Sequence, residues 1–403
     1  MYVDQAARGY PTLFPIDSQK NWANPSSLHR YGRDAKAALN QARQDIAQSL
    51  SLTFSSSQAL AKQIIFTSGG TESNNLVILQ PTWRYIVTTA TEHHAVFYPA
   101  QYMANHTTCE VVFLPVDGQG KLRDMDQLRQ LLSEERFRSG PGLVSLAYVN
   151  NETGNVLDVA AIGRIIAASN AKRGAAERTW FHTDAVQAPG HVPLNMGQGA
   201  LSGVDFMSFS AHKFHGPSGI GMLVCRSTSP LRHPLMFGGN QQGGLRPGTE
   251  PVGAILAMAS AFQDINDPSK LGKPVPQMRA LTDTVWSALM PFIVSGTVLP
   301  TGCTNPEERA CHHVSFCVRG AHRNDLVASL ETESGVLVSG GSACSADYSL
   351  HSHVLDAMRV PLRYIHGSIR ITISHLNTTE EVSQLLVPAL VKLLEKRVMF
   401  NED

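Results

Sequence analysis

Gln63-Ile64-Ile65-Phe66-Thr67-Ser68-Gly69-Gly70-Thr71-Glu72-Ser73-Asn74-Asn75 is the stretch whose reading decides the architecture. Its first five residues, with Ile64, Ile65 and Phe66 at their centre, read as a buried strand; the next turn on two glycines and open a helix. A strand feeding a helix through a Gly-rich turn is the elementary unit of an α/β fold. The same turn leaves amide N–H groups and the Thr71 hydroxyl at a helix N-terminus, a natural seat for phosphate. The spacing matches neither a Walker loop nor a dinucleotide fingerprint, which leaves an ester phosphate on another cofactor.

Outward from this unit, strand and helix patterns alternate from about residue 60 to 225. Tyr85-Ile86-Val87-Thr88, Val111-Val112-Phe113-Leu114 and Leu143-Val144-Ser145-Leu146-Ala147-Tyr148-Val149 are continuous apolar runs. Such runs suit central strands of a mainly parallel sheet covered on both faces. Residues 125–132 and 159–168 carry helical patterns between them. Upstream, Ser26 or Ser27 is positioned to cap a helix with Ala35, Ala38, Leu39, Ala42 and Ile46 on one face.

The composition breaks at Phe237-Gly238-Gly239-Asn240-Gln241-Gln242-Gly243-Gly244, and a long helix is expected over 252–262. The rhythm then changes to a strand at 314–318, a helix near 324–333, a strand at 369–373 and a closing amphipathic helix. Thr378 or Thr379 caps that last helix, with Glu380 and Glu381 in its first turn. The expectation is a large domain over residues 14–255 and a smaller α+β domain over 256–403, completed by residues 1–13.

Lys+Arg and Asp+Glu both number 33, so no net charge draws the chain to nucleic acid or a membrane surface. None of the six cysteines stands in a CxxC pair, which argues against a zinc ribbon or thioredoxin-like site. Cys225 and Cys317 lie in apolar runs and read as inert core residues. No n-region or h-region follows Met1, and no apolar run reaches membrane-spanning length. The expectation is a cytoplasmic protein in a reducing compartment, with no metal site.

Two further strand ends carry chemistry. Phe181-His182-Thr183-Asp184-Ala185-Val186-Gln187 closes on a carboxylate, and Ser208-Phe209-Ser210-Ala211-His212-Lys213-Phe214-His215-Gly216-Pro217 on an amine. A lysine forms a Schiff base with an aldehyde cofactor, and a carboxylate can hold that cofactor's pyridine nitrogen protonated, making the ring an electron sink. His93, in Thr91-Glu92-His93-His94, is placed to stack on a flat ring. Asn151 follows the strand ending at Val149. All arise at carboxyl ends of parallel strands, where open α/β sheets bind ligands. Farther on, Cys344 in Ser339-Gly340-Gly341-Ser342-Ala343-Cys344-Ser345 sits among small residues, as suits a nucleophilic thiolate that moves. Arg370 offers a planar fork to a substrate carboxylate.

Together these words resemble the cysteine desulfurases, in the class V branch of fold-type I pyridoxal-phosphate enzymes. The resemblance spans nearly the whole chain. It rests on Asn24-Pro25-Ser26-Ser27-Leu28-His29, Gly69-Gly70-Thr71-Glu72-Ser73-Asn74, Thr91-Glu92-His93, Val149-Asn150-Asn151-Glu152, Asp184-Ala185-Val186-Gln187, Ser210-Ala211-His212-Lys213, Arg246-Pro247-Gly248-Thr249 and Gly341-Ser342-Ala343-Cys344. It implies that Lys213 carries pyridoxal 5'-phosphate and shuttles the Cα proton of L-cysteine. Asp184 would pair with the ring nitrogen, Gln187 would touch the phenolic oxygen, and His93 would stack on the ring. Gly70, Thr71, Ser210 and His212 would hold the phosphate, and Thr249 would reach the phosphate of a neighbouring subunit in a homodimer. Asn151 would position cofactor and substrate, and Arg370 would hold the substrate carboxylate. Cys344 would take the sulfur as a persulfide, releasing alanine, for a sulfur-acceptor protein such as an iron–sulfur scaffold.

Three positions depart from the family pattern. Its N-terminal Asp-x-Ala-Ala-Thr-Thr reads Asp4-Gln5-Ala6-Ala7-Arg8-Gly9; Gln242 stands where an acid often follows Gly-Gly-x-Gln; and few residues follow the final helix. Selenocysteine lyase is the nearest alternative activity. A lyase or aminotransferase of the same fold would not need Cys344, and a binding platform would not need Lys213, Asp184 and His93 together with it.

Overall fold

The structure, a computed structural model, describes residues 1–7, 23–53, 57–197, 199–267, 269, 274–341 and 351–399; Arg8 and Cys344 lie outside them. Ten strands are described: β1 (Ile64–Thr67), β2 (Tyr85–Thr89), β3 (Glu110–Leu114), β4 (Gly142–Ala147), β5 (Thr179–Asp184), β6 (Phe206–Ser210), β7 (Gly221–Cys225), β8 (Val298–Pro300), β9 (His313–Val318) and β10 (Ser368–Thr372). The first seven form one sheet in the order β1-β7-β6-β5-β4-β2-β3. From β6 to β3 every pairing is parallel, whereas β7 runs antiparallel to both β1 and β6.

This sheet is the middle of three layers. Successive side chains of a strand point to opposite faces. Ile64, Phe66, Tyr85, Val87 and Val144 accordingly join a cluster with the helices Arg30–Ser49, Val159–Asn170 and Val252–Asn266. Ile65, Ile86 and Leu143 join another with Leu76 and Val77 of the helix Gly70–Ile78, and Val96 and Met103 of the helix His94–His106. Burial on both faces is why these strands read as unbroken apolar runs.

The second sheet, ordered β10-β9-β8, is antiparallel. Its core includes Val314, Phe316, Ile369 and Ile371 and the helices Pro274–Val294, Arg323–Ser334 and Val387–Met399. Val3 packs in that core, while Tyr2 and Asp4 bridge to Leu337 and Thr372. Residues 2–4 therefore pack against the smaller unit.

Two local expectations change. The first long helix starts at Arg30 and is capped by His29, whose side chain accepts from Gly32 N, rather than by Ser26 or Ser27. Residues 24–27 instead form a turn, with Asn24 accepting from Ser26 N and Ser27 N, and the Ser27 carbonyl packs so close to Gly32 that a Cβ there would lie 2.2 Å from it. The boundary drawn at 255/256 falls inside the helix Val252–Asn266, whose Ile255, Met258, Ala261 and Phe262 pack in the large core. At the other end, Thr378 and Glu381 form the reciprocal capping box. Among the described residues, no helix is long and apolar enough to cross a membrane.

Candidate active site

The carboxyl ends of β1, β2, β4, β5 and β6 face one cavity of about 430 Å³, which Arg370 of β10 closes from the smaller unit. Its lining brings together Gly70, Thr71, His93, Asn151, Asp184, Gln187, Ser210, His212, Lys213 and Arg370. Parallel register accounts for much of this convergence. Ala147 pairs with Asp184, and Asp184 with Ser208, so β4 and β5 end together and β6 runs two residues farther, to Ser210. Lys213 follows on a single 3₁₀ turn, Ala211–Lys213.

Asp184 is 7% exposed. One carboxylate oxygen accepts from Asn74 Nδ2 at 2.7 Å and the other from Val186 N at 2.9 Å. Burial pushes its carboxyl above the usual range, against those two hydrogen bonds and the Lys213 charge. A cationic N–H placed beside it would restore the ionised form. His93 caps its helix, with Nδ1 accepting from Ala95 N at 3.1 Å. Burial first, and then the Lys213 charge, push it down to about 4, so the ring is neutral at physiological pH.

Lys213 Nζ donates to the Ala6 carbonyl and, at 2.7 Å, to that of Ala7. Gln187 Nε2 also donates to the Ala6 carbonyl, at 3.0 Å. Ser210 Oγ and His212 Nδ1 lie 3.0 Å apart beside the N-terminus of the nine-residue helix Gly70–Ile78. A Cβ at Gly70 would come 2.5 Å from Val186 Cγ2, so only glycine lets the backbone lie this close. Arg370, 2% exposed, donates from Nη1 to the Asn151 carbonyl and from Nη2 to Asp4 Oδ1, both at 2.9 Å.

An amine, a buried carboxylate, a neutral flat ring and an amide-rich helix start thus face one another as pyridoxal phosphate requires. The Asn74 Oδ1 atom, buried without a hydrogen-bond partner, marks further polar capacity beside them. Thr249 is exposed and does not line its own chain's cavity. Sequence reasoning missed four lining groups. Asn74 stands one helical turn past Gly70, in the same Gly-rich word, with nothing local to mark its side chain as a partner of Asp184. Glu152, which accepts from Ser352 Oγ at 2.6 Å, and the pair His94 and His353, 3.0 Å apart, carried no separate signal.

Comparison with known proteins agrees with this geometry. Residues 17–385 match the class-V aminotransferase family. The cysteine desulfurase IscS of Dictyoglomus turgidum is 34% identical over 98% of this chain and 95% of its own. An IscS-like cysteine desulfurase of Mycobacterium tuberculosis is 33% identical over 96% and 94%. Among solved structures, a NifS-like protein superposes with a TM-score of 0.81 at 30% identity, covering 99% of both chains. Fold, cavity and likeness define a fold-type I pyridoxal-phosphate enzyme. Within that class, the chain belongs to the cysteine desulfurase family.

Proposed function

We propose that this chain converts L-cysteine to L-alanine, handing the sulfur to Cys344 as a persulfide. What supports this reading is the meeting, in one cavity, of Lys213 and Asp184 from the large sheet with Arg370 from the small one. Bound there, pyridoxal phosphate supplies an aldehyde for an amine and a protonated ring that draws electrons from substrate carbon. Lys213 holds the cofactor and then moves the Cα proton. Asp184 keeps the ring nitrogen protonated. His93, neutral, would cover the ring face without adding charge, while Gly70, Thr71, Ser210 and His212 would seat the phosphate. Gln187 would hold the phenolic oxygen, and Asn151 with Arg370 would orient the amino acid. The Cys344 thiolate then attacks the substrate sulfur. A sulfur–sulfur bond forms as the Cβ–sulfur bond breaks, its electron pair stays with carbon, and Cβ takes a proton.

The finer reading is a cytoplasmic homodimer in which Thr249 completes the neighbouring phosphate seat, with the domain division just after the helix Val252–Asn266. The persulfide passes to an acceptor protein, as in iron–sulfur cluster assembly. The test is Cys344→Ser. It should retain cofactor and the absorbance change on adding L-cysteine, yet release no alanine in excess of enzyme and form no persulfide. Sustained alanine release by this variant would favour a lyase that needs no thiol.

A further inference from the structure

Arg370 does not wait in the cavity as a bare cation. Asp4, from the first strand-like residues of the chain, places Oδ1 2.9 Å from Nη2 of the guanidinium. The pair is held from both sides. Arg370 N and O exchange hydrogen bonds with Ser339, and Asp4 bridges to Thr372, two residues beyond Arg370 on the same strand. Ala6 N adds a hydrogen bond to Thr372 Oγ1 at 2.9 Å. Nη1 is engaged by the Asn151 carbonyl, and Nε is buried without a hydrogen-bond partner. Glu152 also lies in the field of Arg370, and Asp4 is the carboxylate hydrogen-bonded to the guanidinium.

We propose that Asp4 is a positioning and affinity-setting residue: it fixes the Arg370 fork through Nη2 and, by its charge, weakens the grip of that fork on a carboxylate so that product can leave. This rests on the reading of Arg370 as the substrate-carboxylate group. Substrate and product of the reaction carry the same carboxylate and ammonium, so an arginine left at full strength would retain alanine as firmly as it captures cysteine. A second carboxylate already on the guanidinium repels the incoming one, while the fixed fork keeps its remaining N–H groups aimed at the cavity. Asp4 thus trades affinity for turnover. It acts through Arg370 and has no part in the lysine chemistry.

The experiment compares holoenzymes carrying Asp4→Asn, Asp4→Glu and Arg370→Gln, titrated with L-alanine and with ethylamine while the visible band of the bound cofactor is followed. Ethylamine is alanine without its carboxylate. Asp4→Asn keeps the hydrogen bond and removes the charge; its L-alanine Kd should fall about tenfold, and its ethylamine Kd should not change. Asp4→Glu, with the charge kept, should bind L-alanine within about twofold of the parent enzyme. Unchanged or weaker L-alanine binding by Asp4→Asn overturns the inference, as does an equal gain for ethylamine. Arg370→Gln tests the underlying reading separately. If it binds L-alanine as the parent does, Arg370 is not the carboxylate site; if it loses L-alanine while Asp4→Asn is unaltered, only the role of Asp4 fails.

Discussion

The two walls of the cavity are built on different terms. On one, Asp184, Ser210 and Lys213 come from the neighbouring parallel strands β5 and β6 and the turn that follows β6, on the same side of the sheet. On the other, Arg370 and Asp4 meet across 366 residues, joined by an antiparallel sheet and a short N-terminal strap. The first wall is a property of topology, which places loop residues at strand ends wherever such a sheet exists. The second depends on one ion pair in a protein interior, where removing one partner leaves the other charge uncompensated. The cofactor wall should therefore tolerate packing changes and fail through loss of a reacting group. The substrate wall should fail in affinity.

The largest expected effect breaks the first wall. On the proposed function, Lys213→Ala removes the amine that would carry the cofactor and move the Cα proton, so alanine formation should fall by at least about a thousandfold. Borohydride reduction of the parent protein followed by mass spectrometry should locate the adduct on Lys213. An adduct on another lysine would remove Lys213 from its role. Next, Arg370→Lys keeps the charge but loses the planar fork, and kcat/KM for L-cysteine should drop about tenfold to a hundredfold, chiefly through KM. A loss confined to kcat would contradict the contrast between the walls.

A smaller effect concerns acid. Buried neutral histidines sit throughout the region behind the cofactor wall and at the seam between the sheets. Burial pushes His93 and His191 down to about 4, and His182 and His313 to about 3. Their pKa values lie below that of an exposed histidine, so the unfolded chain binds protons first. The stability they contribute is complete above about pH 6.5 and is lost as pH falls toward 4 and below. Melting temperature should be level near pH 7 and decline progressively below pH 6.5; a flat profile from 7 to 4.5 would refute the assignment. Glu92 has the opposite sign. Burial raises its carboxyl to about 8, so its share of stability is present below about pH 4.5 and is lost as pH rises through 8. Glu92→Gln should therefore melt higher than the parent at pH 8.5, by about 2–4 °C, with little difference at pH 5.

The cofactor wall was legible in the sequence because each of its groups stands at the end of an apolar run, and local pattern carries that information. The doubly covered strands were legible for the same reason. Asp4 was visible only as a family word, because nothing local to residues 4–7 says that Arg370 lies opposite. The cap at His29 was missed because serine is the stronger N-cap by preference, and only the close approach of Ser27 to Gly32 moves the helix start. The domain boundary was drawn too early because an apolar helix after a Gly-rich linker reads as the start of something new. In the folded chain the helix Val252–Asn266 lies against the helix Arg30–Ser49 and seals the large core. Gln242, an apparent loss of an acid, is a buried hub: it accepts from Arg43 Nη2 and Phe66 N and donates to Glu250.

The pairing of Tyr2 with Leu337 and of Asp4 with Thr372 also orders events in time. A ribosome releases the large sheet, complete through β7 at Cys225, long before residue 372 is synthesised. During that interval the strands that hold Asp184 and Lys213 can pair, while Tyr2 and Asp4 still lack Leu337 and Thr372. The strand ends around Asp184 and Lys213 are consequently older, within the life of each molecule, than the pairing of Asp4 with Arg370.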